Sequence, residues 1–179
     1  MPMTPDFTTA PANASTVAKL FVALAARNPA DLDLATRTLT DRFGPPDLES
    51  DCYFFDDFTH YYEREMGSGL QKKFLAFAST FDPAQLVEVK LEVGDLEQQW
   101  CENRKRRVNI DPGYVNAWQV VLASHKNNAH RIYLGRGVFC ELTLLCRNGQ
   151  FEPLPWTYPD YRSAVVLSYF QQLRSEFLR

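Results

Sequence analysis

The sequence predicts an α+β fold: an antiparallel sheet with a ferredoxin-like (split βαβ) core, extended by extra C-terminal strands, helices packed mainly on one face, and a helix closing the chain. Three observations carry this. Segments alternate as strand, helix, strand, strand, helix, strand before the chain reaches its polar C-terminal region, the order of a split βαβ unit. Both helical stretches show a single apolar stripe, which needs a sheet face or another helix to cover it. Beyond them come short apolar runs parted by glycine-bearing turns, which read as strands added to the same sheet.

Taken in order, residues 1–16, MPMTPDFTTAPANAST, have no hydrophobic period and read as a disordered leader. A single domain is expected over residues 17–179. It opens with the apolar run LFVALAA after Lys19, rich enough in bulky residues for a buried strand. Asn28 can cap a helix, Pro29 suits its first position and Asp31 its positive end. Leu32, Ala35, Leu39 and Phe43 then form one face, before Gly44 and two prolines stop the helix. Residues 51–57, DCYFFDD, read as a strand. The next stretch, FTHYYEREMGSG, reads as a helical turn that puts His60 near Arg64 and Tyr61 near Glu65. It is either a cleft-lining aromatic and acidic segment or a surface helix over a sheet edge.

Residues 72–80 alternate as a third strand. Asp82 and Pro83 start a second helix whose stripe is Leu86, Val89, Val93, Leu96 and Trp100. The basic run Arg104, Lys105, Arg106, Arg107 follows. It reads as cations at the negative end of that helix, or as a contact for phosphate or RNA. The fourth strand is either 107–110 or 118–123.

The region from Val108 to Arg162 concentrates polar residues capable of chemistry. Asp111-Pro112-Gly113 predicts a tight turn. His125 and Lys126 follow strand 118–123, where loops carry sites more often than strand interiors do. A hairpin is expected across Gly135-Arg136-Gly137, pairing Leu134 with Val138, Ile132 with Cys140 and Arg131 with Glu141. Asn148-Gly149 predicts another hairpin turn. Trp156 to Arg162 leads into a last helix with the stripe Val166, Phe170, Leu173 and Phe177, capped by Asp160 or Ser163. The candidate ligand-binding residues are Asp111, His125, Lys126, His130, Arg131, Asp160, Tyr161 and Arg162. With its two aromatics, acid and arginine, the stretch from Trp156 to Arg162 reads either as an anion pocket at a helix start or as a packed connector in which Tyr161 and Trp156 close off a sheet face. Their spacings match no metal cassette, and no metal or cofactor is assigned.

Composition excludes several classes. With 45% hydrophobic and 13% aromatic residues, the 179-residue chain can bury a real core. A net charge of -3 argues against nucleic acid as a partner. No run approaches the about 18 apolar residues of a membrane span. Cys52, Cys101, Cys140 and Cys146 form no CxxC pair, and the chain shows no signal peptide, so reduced thiols and a cytoplasmic location are expected.

VNIDPGY, LASHK with HRIYLGRGVFCELTL, and WTYPDYR, together with LFVAL, YYEREMG and LVEVKL, make the chain resemble the bacterial domain-of-unknown-function 4416 family from about Lys19 onward. That resemblance implies no reaction, ligand or catalytic residue. Proteins similar to it are sometimes labelled GTP-binding, but this sequence has no GxxxxGK[ST] loop and no NKxD motif. The expected function is a small-molecule-binding protein or small enzyme that takes an anionic or phosphorylated ligand near 108–162. The alternatives are a non-catalytic scaffold or partner-binding protein and, third, an RNA-associated module.

Overall fold

A computed structural model describes residues 17–179; the leader expected at 1–16 lies outside the described residues. Among these, β1 (Ala18–Ala26), α1 (Pro29–Phe43), β2 (Pro46–Glu49), β3 (Tyr53–Phe54), α2 (Glu63–Met66) and β4 (Gln71–Phe81) come first. Then follow α3 (Leu86–Gln99), β5 (Val108–Val115), β6 (Gln119–Ser124), β7 (Ile132–Gly135), β8 (Val138–Arg147), β9 (Gln150–Pro153) and α4 (Ala164–Phe177). The strands form one antiparallel sheet in the order β2-β4-β1-β5-β6-β8-β7, with β3 beside β4 and β9 beside β8. No helix among the described residues is long and apolar enough to cross a membrane.

The sheet is covered on both faces. Leu32, Ala35 and Leu39 of α1 and Leu86, Val89 and Val93 of α3 pack on Leu20, Val22, Leu24, Ile110 and their neighbours. Tyr169, Phe170 and Leu173 of α4 pack on the other face, against Phe21, Phe74, Leu122 and Leu144. Both faces of β1 are therefore buried, which explains why its sequence is a continuous apolar run rather than an alternating one. Helices mainly on one face describes α1 and α3; α4 makes the third layer.

Local chemistry builds several elements as the sequence predicts. The Asn28 side chain accepts from the Ala30 N–H, Pro29 begins α1, and Gly44 at φ +88° ends it. Asn148 and Gly149, both at positive φ, turn β8 into β9 with Arg147 opposite Gln150, the two-residue turn such a pair favours. Ser163 caps α4 by accepting from Val166 N–H; Asp160 lies one turn earlier, in a short 3-10 helix.

Other expectations are corrected. Residues 51–57 supply only two residues paired with β4 before a 3-10 turn, and an additional strand, Pro46–Glu49, lies beside β4 ahead of them. Alternation in DLE is too short to register beside two prolines. The stripe of α3 buries Lys90 and Glu97 along with Leu86, Val89 and Val93. Two members of the basic run are committed to specific acids: Arg106 to Glu65 and to Glu97 in the last turn of α3, and Arg107 to Asp31. His60 faces Glu63 rather than Arg64, and Tyr61 meets Lys126 rather than Glu65. The β7–β8 hairpin keeps Ile132 opposite Cys140, but an irregularity puts Gly135, not Leu134, opposite Val138.

The main departure is at Asp111-Pro112-Gly113, which is not a turn but the middle of β5, opposite Ala23, Val22 and Phe21 of β1. On its other side β5 pairs with β6 only from Gly113 to Val115. Proline has no N–H to offer a neighbour, and the β5–β6 ladder stops where Pro112 begins. Gly113 is needed at the last pair, because a Cβ there would lie 2.3 Å from Val121 O and 2.6 Å from the Phe21 ring. Beyond it the two strands part, and the sheet has a split.

A polar cavity at the split between two central strands

Ile110 lies opposite Leu24 of β1, but the split leaves it without a partner strand on the β6 side, and α3 supplies the missing partners. Glu97 Oε1 accepts from Ile110 N–H at 2.5 Å, and Lys90 Nζ donates to Ile110 O at 3.1 Å. Lys90 also donates to Asp111 Oδ1 at 3.0 Å, while the Asn109 amide donates to Asp111 Oδ2 at 2.6 Å. Burial raises the Glu97 carboxyl above its usual range, with Asp111 adding to the rise and Lys90 opposing it. Burial would also raise Asp111, but Lys90 and the Asn109 hydrogen bond outweigh it and hold that carboxyl below its ordinary value. Arg106 braces the same edge, donating to Glu65 at 2.6 and 2.8 Å and to Asn109 Oδ1 at 2.8 Å.

On the α4 side the split opens into a cavity of about 410 Å³, within the usual size range of small-molecule sites. Its floor includes Asp111, Leu122, Lys72, Asp160 and Tyr161; its mouth includes Tyr61, Lys126, Asn127 and Asn128. A narrower space of about 90 Å³ continues between the strands past His125 and Glu141, sharing Tyr62, Asp111, Leu122, Lys126 and Tyr158 with the larger one. The wall is strongly aromatic. The segment that carries α2 provides Phe55, Tyr61 and Tyr62, held by a small cluster of Phe55, Met66 and Leu70.

Three cations line the larger cavity. Lys72 lies 2.6 Å from Asp160 Oδ2, which also accepts from the Tyr53 hydroxyl at 2.9 Å. The Lys72 ammonium is caged by the rings of Phe55, Phe74 and Tyr161, at 5.0, 5.5 and 4.8 Å from their centroids, a favourable cation–π arrangement. Arg131 donates to Glu141 Oε2 at 2.7 Å, Ser124 Oγ at 2.9 Å, Lys126 O at 2.7 Å and the Tyr158 hydroxyl at 2.5 Å. Lys126 sits over the Tyr61 ring at 4.4 Å and donates to its hydroxyl at 2.6 Å. Unlike the other two, Lys126 makes no ion pair among the described residues. Burial, followed by the Glu141 charge, pushes the Tyr158 phenol up to about 12, so it is a neutral hydrogen-bonding group at neutral pH.

The structure thus brings Asp111, Lys126, Arg131, Asp160 and Tyr161 to one cavity. His125 lies in the narrow extension, Nδ1 3.2 Å from Gly137 O. His130 stacks on Trp156 and contacts Glu141 Oε2 at 3.1 Å, behind the Arg131 pair. Arg162 stands apart. Its guanidinium donates to the carbonyls of Thr157, Leu154 and Pro155 at 2.7–2.9 Å and ties that connector together. Because Asp160 points to Lys72 while Arg162 points to these carbonyls, the two do not form a joint pocket at the start of α4. Among the described residues, no group of three His, Cys, Asp or Glu side chains is placed to hold a metal.

Lys72, Lys90 and Glu97 were missed by the sequence reading, yet a signal was present. Lys72 shares the inward face of β4 with Phe74 and Ala76, and Lys90 falls four after Leu86 and three before Val93. A charge at a core-facing position implies a buried partner.

Fold and cavity together define a mixed α/β protein with a large antiparallel sheet, opened by a proline at one inter-strand seam. The chain belongs to the family described as Domain of unknown function (DUF4416), whose model matches residues 16–177. No curated protein and no solved structure matches it.

Proposed function

We propose that this DUF4416 chain is a small-molecule-binding protein or small enzyme whose cavity at the β5–β6 split takes an anionic or phosphorylated ligand. The observation that carries the reading is Lys126. It stands at the mouth of a cavity of about 410 Å³, while Lys72, Lys90 and Arg131 each have a carboxylate partner. An ammonium has three donors, and the Tyr61 hydroxyl uses one of them. The exposed amides of Asn127 and Asn128 beside it add donors for phosphate or carboxylate oxygens. The order β2-β4-β1-β5 supports reading the scaffold as a ferredoxin-like core, with β6 to β9 as its extension.

The test is calorimetric titration and thermal shift with inorganic phosphate and a panel of phosphorylated metabolites, on wild type and Lys126→Ala. A ligand at 100 times its Kd adds about 2.7 kcal/mol to stability. The reading predicts such a shift for at least one anion and its loss in the variant. Binding unaffected by Lys126→Ala would count against it.

A second reading, a non-catalytic partner-binding protein, draws on β7. This edge strand exposes Ile132, Tyr133 and Leu134 in a row, and exposed apolar edges commonly meet other chains. Tyr133→Lys abolishing a cellular function that Lys126→Ala leaves intact would favour it.

A further inference from the structure

Among the described residues, four buried side-chain atoms lack a hydrogen-bond partner: Asp56 Oδ1, Glu141 Oε1, Asp160 Oδ1 and the Tyr161 hydroxyl. Such groups are few in native structures, and each calls for a physical explanation. Three of the four belong to the walls of the two adjoining cavities: Asp160 and Tyr161 in the larger, Glu141 in the narrower. The clustering marks the floor of the site as polar and incompletely satisfied. Asp160 itself has no exposed surface and spends its other oxygen on Lys72 and Tyr53.

We infer that the ligand is an anion built on a flat ring whose far edge carries an N–H or O–H donor, with the anion at Lys126 and the donor received at the floor by Asp160 and Tyr161. This rests on the anion-binding reading above and adds the chemistry of the ligand's other end. The floor demands a donor because Asp160 Oδ1, as a carboxylate oxygen, can only accept, whereas the Tyr161 hydroxyl can give or receive. The flat ring follows from the wall between floor and mouth, where the partly exposed rings of Tyr61, Tyr62 and Tyr158 offer aromatic surface, and such rings stack favourably with planar groups. Neither floor atom touches solvent in the free protein. The donor therefore reaches them by a small displacement of the side chains that close the floor, a common response to binding.

The inference is tested with three probes on the full chain: 4-aminophenyl phosphate, phenyl phosphate and inorganic phosphate. Wild type is expected to bind them in that order, with the amino group contributing about tenfold over phenyl phosphate. In Asp160→Asn the oxygen stays with Lys72 and an NH2 replaces the free acceptor, so the tenfold preference should vanish while phenyl phosphate still binds. Tyr161→Phe guards against a misfolded Asp160 variant. It should weaken 4-aminophenyl phosphate selectively and leave the melting temperature of the free protein unchanged or raised, because an unpaired buried hydroxyl is removed.

Equal binding of 4-aminophenyl and phenyl phosphate, both lost in Lys126→Ala, would overturn this inference and leave the anion site standing. Phenyl phosphate binding no tighter than inorganic phosphate would overturn the ring. Failure of all three probes to bind would sink both readings. A lowered melting temperature in Tyr161→Phe would show that the hydroxyl is already satisfied within the protein, and would also overturn the inference.

Discussion

Lys90 reaches from α3 to Asp111 across the seam where β5 and β6 part, its Nζ 3.0 Å from Oδ1 and 3.1 Å from the Ile110 carbonyl. A helix side chain thereby takes the place of a missing sheet hydrogen bond and neutralises the acid at the floor of the cavity. The split is stable because α3 carries its replacement partners.

Removing that cation should therefore be costly. Lys90→Met keeps the packing volume but leaves Asp111 Oδ1 and the Ile110 carbonyl without a donor and the Asp111 charge without its cation. It is expected to destabilise the protein by about 3 kcal/mol in urea unfolding. Adding Asp111→Asn to Lys90→Met should recover part of that loss, since the uncompensated charge is then gone.

Gly113 is a steric requirement. A methyl group there would overlap Val121 O and the Phe21 ring at 2.3 and 2.6 Å, and both are fixed, one by the β6 backbone and one by the core. Gly113→Ala should cost about 2 kcal/mol or more. The measurement is a denaturant midpoint. A near-neutral result would mean that β5 and β6 approach less closely than described.

The two acids at the seam predict opposite pH responses. Asp111 has a depressed pKa in the folded protein, so its stabilisation is present above its unfolded value of about 3.9 and is lost as pH falls through the folded value. Glu97 has a raised folded pKa. At neutral pH its ionisation opposes folding, and that penalty is relieved as pH falls from the folded pKa towards the unfolded value of about 4.3. Glu97→Gln should abolish the rise in stability on mild acidification while leaving the loss at lower pH. Urea midpoints measured across pH 3 to 8 in both proteins check this, and an unchanged profile would refute the Glu97 assignment.

Arg131 is predicted to organise the mouth through geometry, not charge alone. Its guanidinium donates in one arrangement to Glu141, Ser124, the Lys126 carbonyl and Tyr158. A lysine ammonium cannot span that fork. Arg131→Lys should lower stability by about 1–2 kcal/mol and speed amide hydrogen exchange over residues 125–131. Unchanged exchange there would show that the loop is held by other contacts.

What the sequence by itself determined is local and one-dimensional. Asn28, Pro29 and Gly44 place both ends of α1, and Asn148-Gly149 sets the β8–β9 turn. The apolar run after Lys19 marks a central strand, and ordered short motifs identify the family. Charge and turn composition also drew Asp111, Lys126, Arg131, Asp160 and Tyr161 into one candidate set. Only the tertiary structure decided that Asp111-Pro112-Gly113 is a strand at a seam. Proline and glycine have the same φ preferences in a turn as at the end of a ladder, and the difference is whether β1 lies alongside. Only the structure separated Arg162, tied to its own connector, from Asp160, committed to Lys72. It also paired Lys72 and Lys90 with acids 88 and 21 residues away in the chain. A buried charge is tolerated only where a partner meets it in space, and that meeting is set by sheet order and helix packing, which no local spacing encodes.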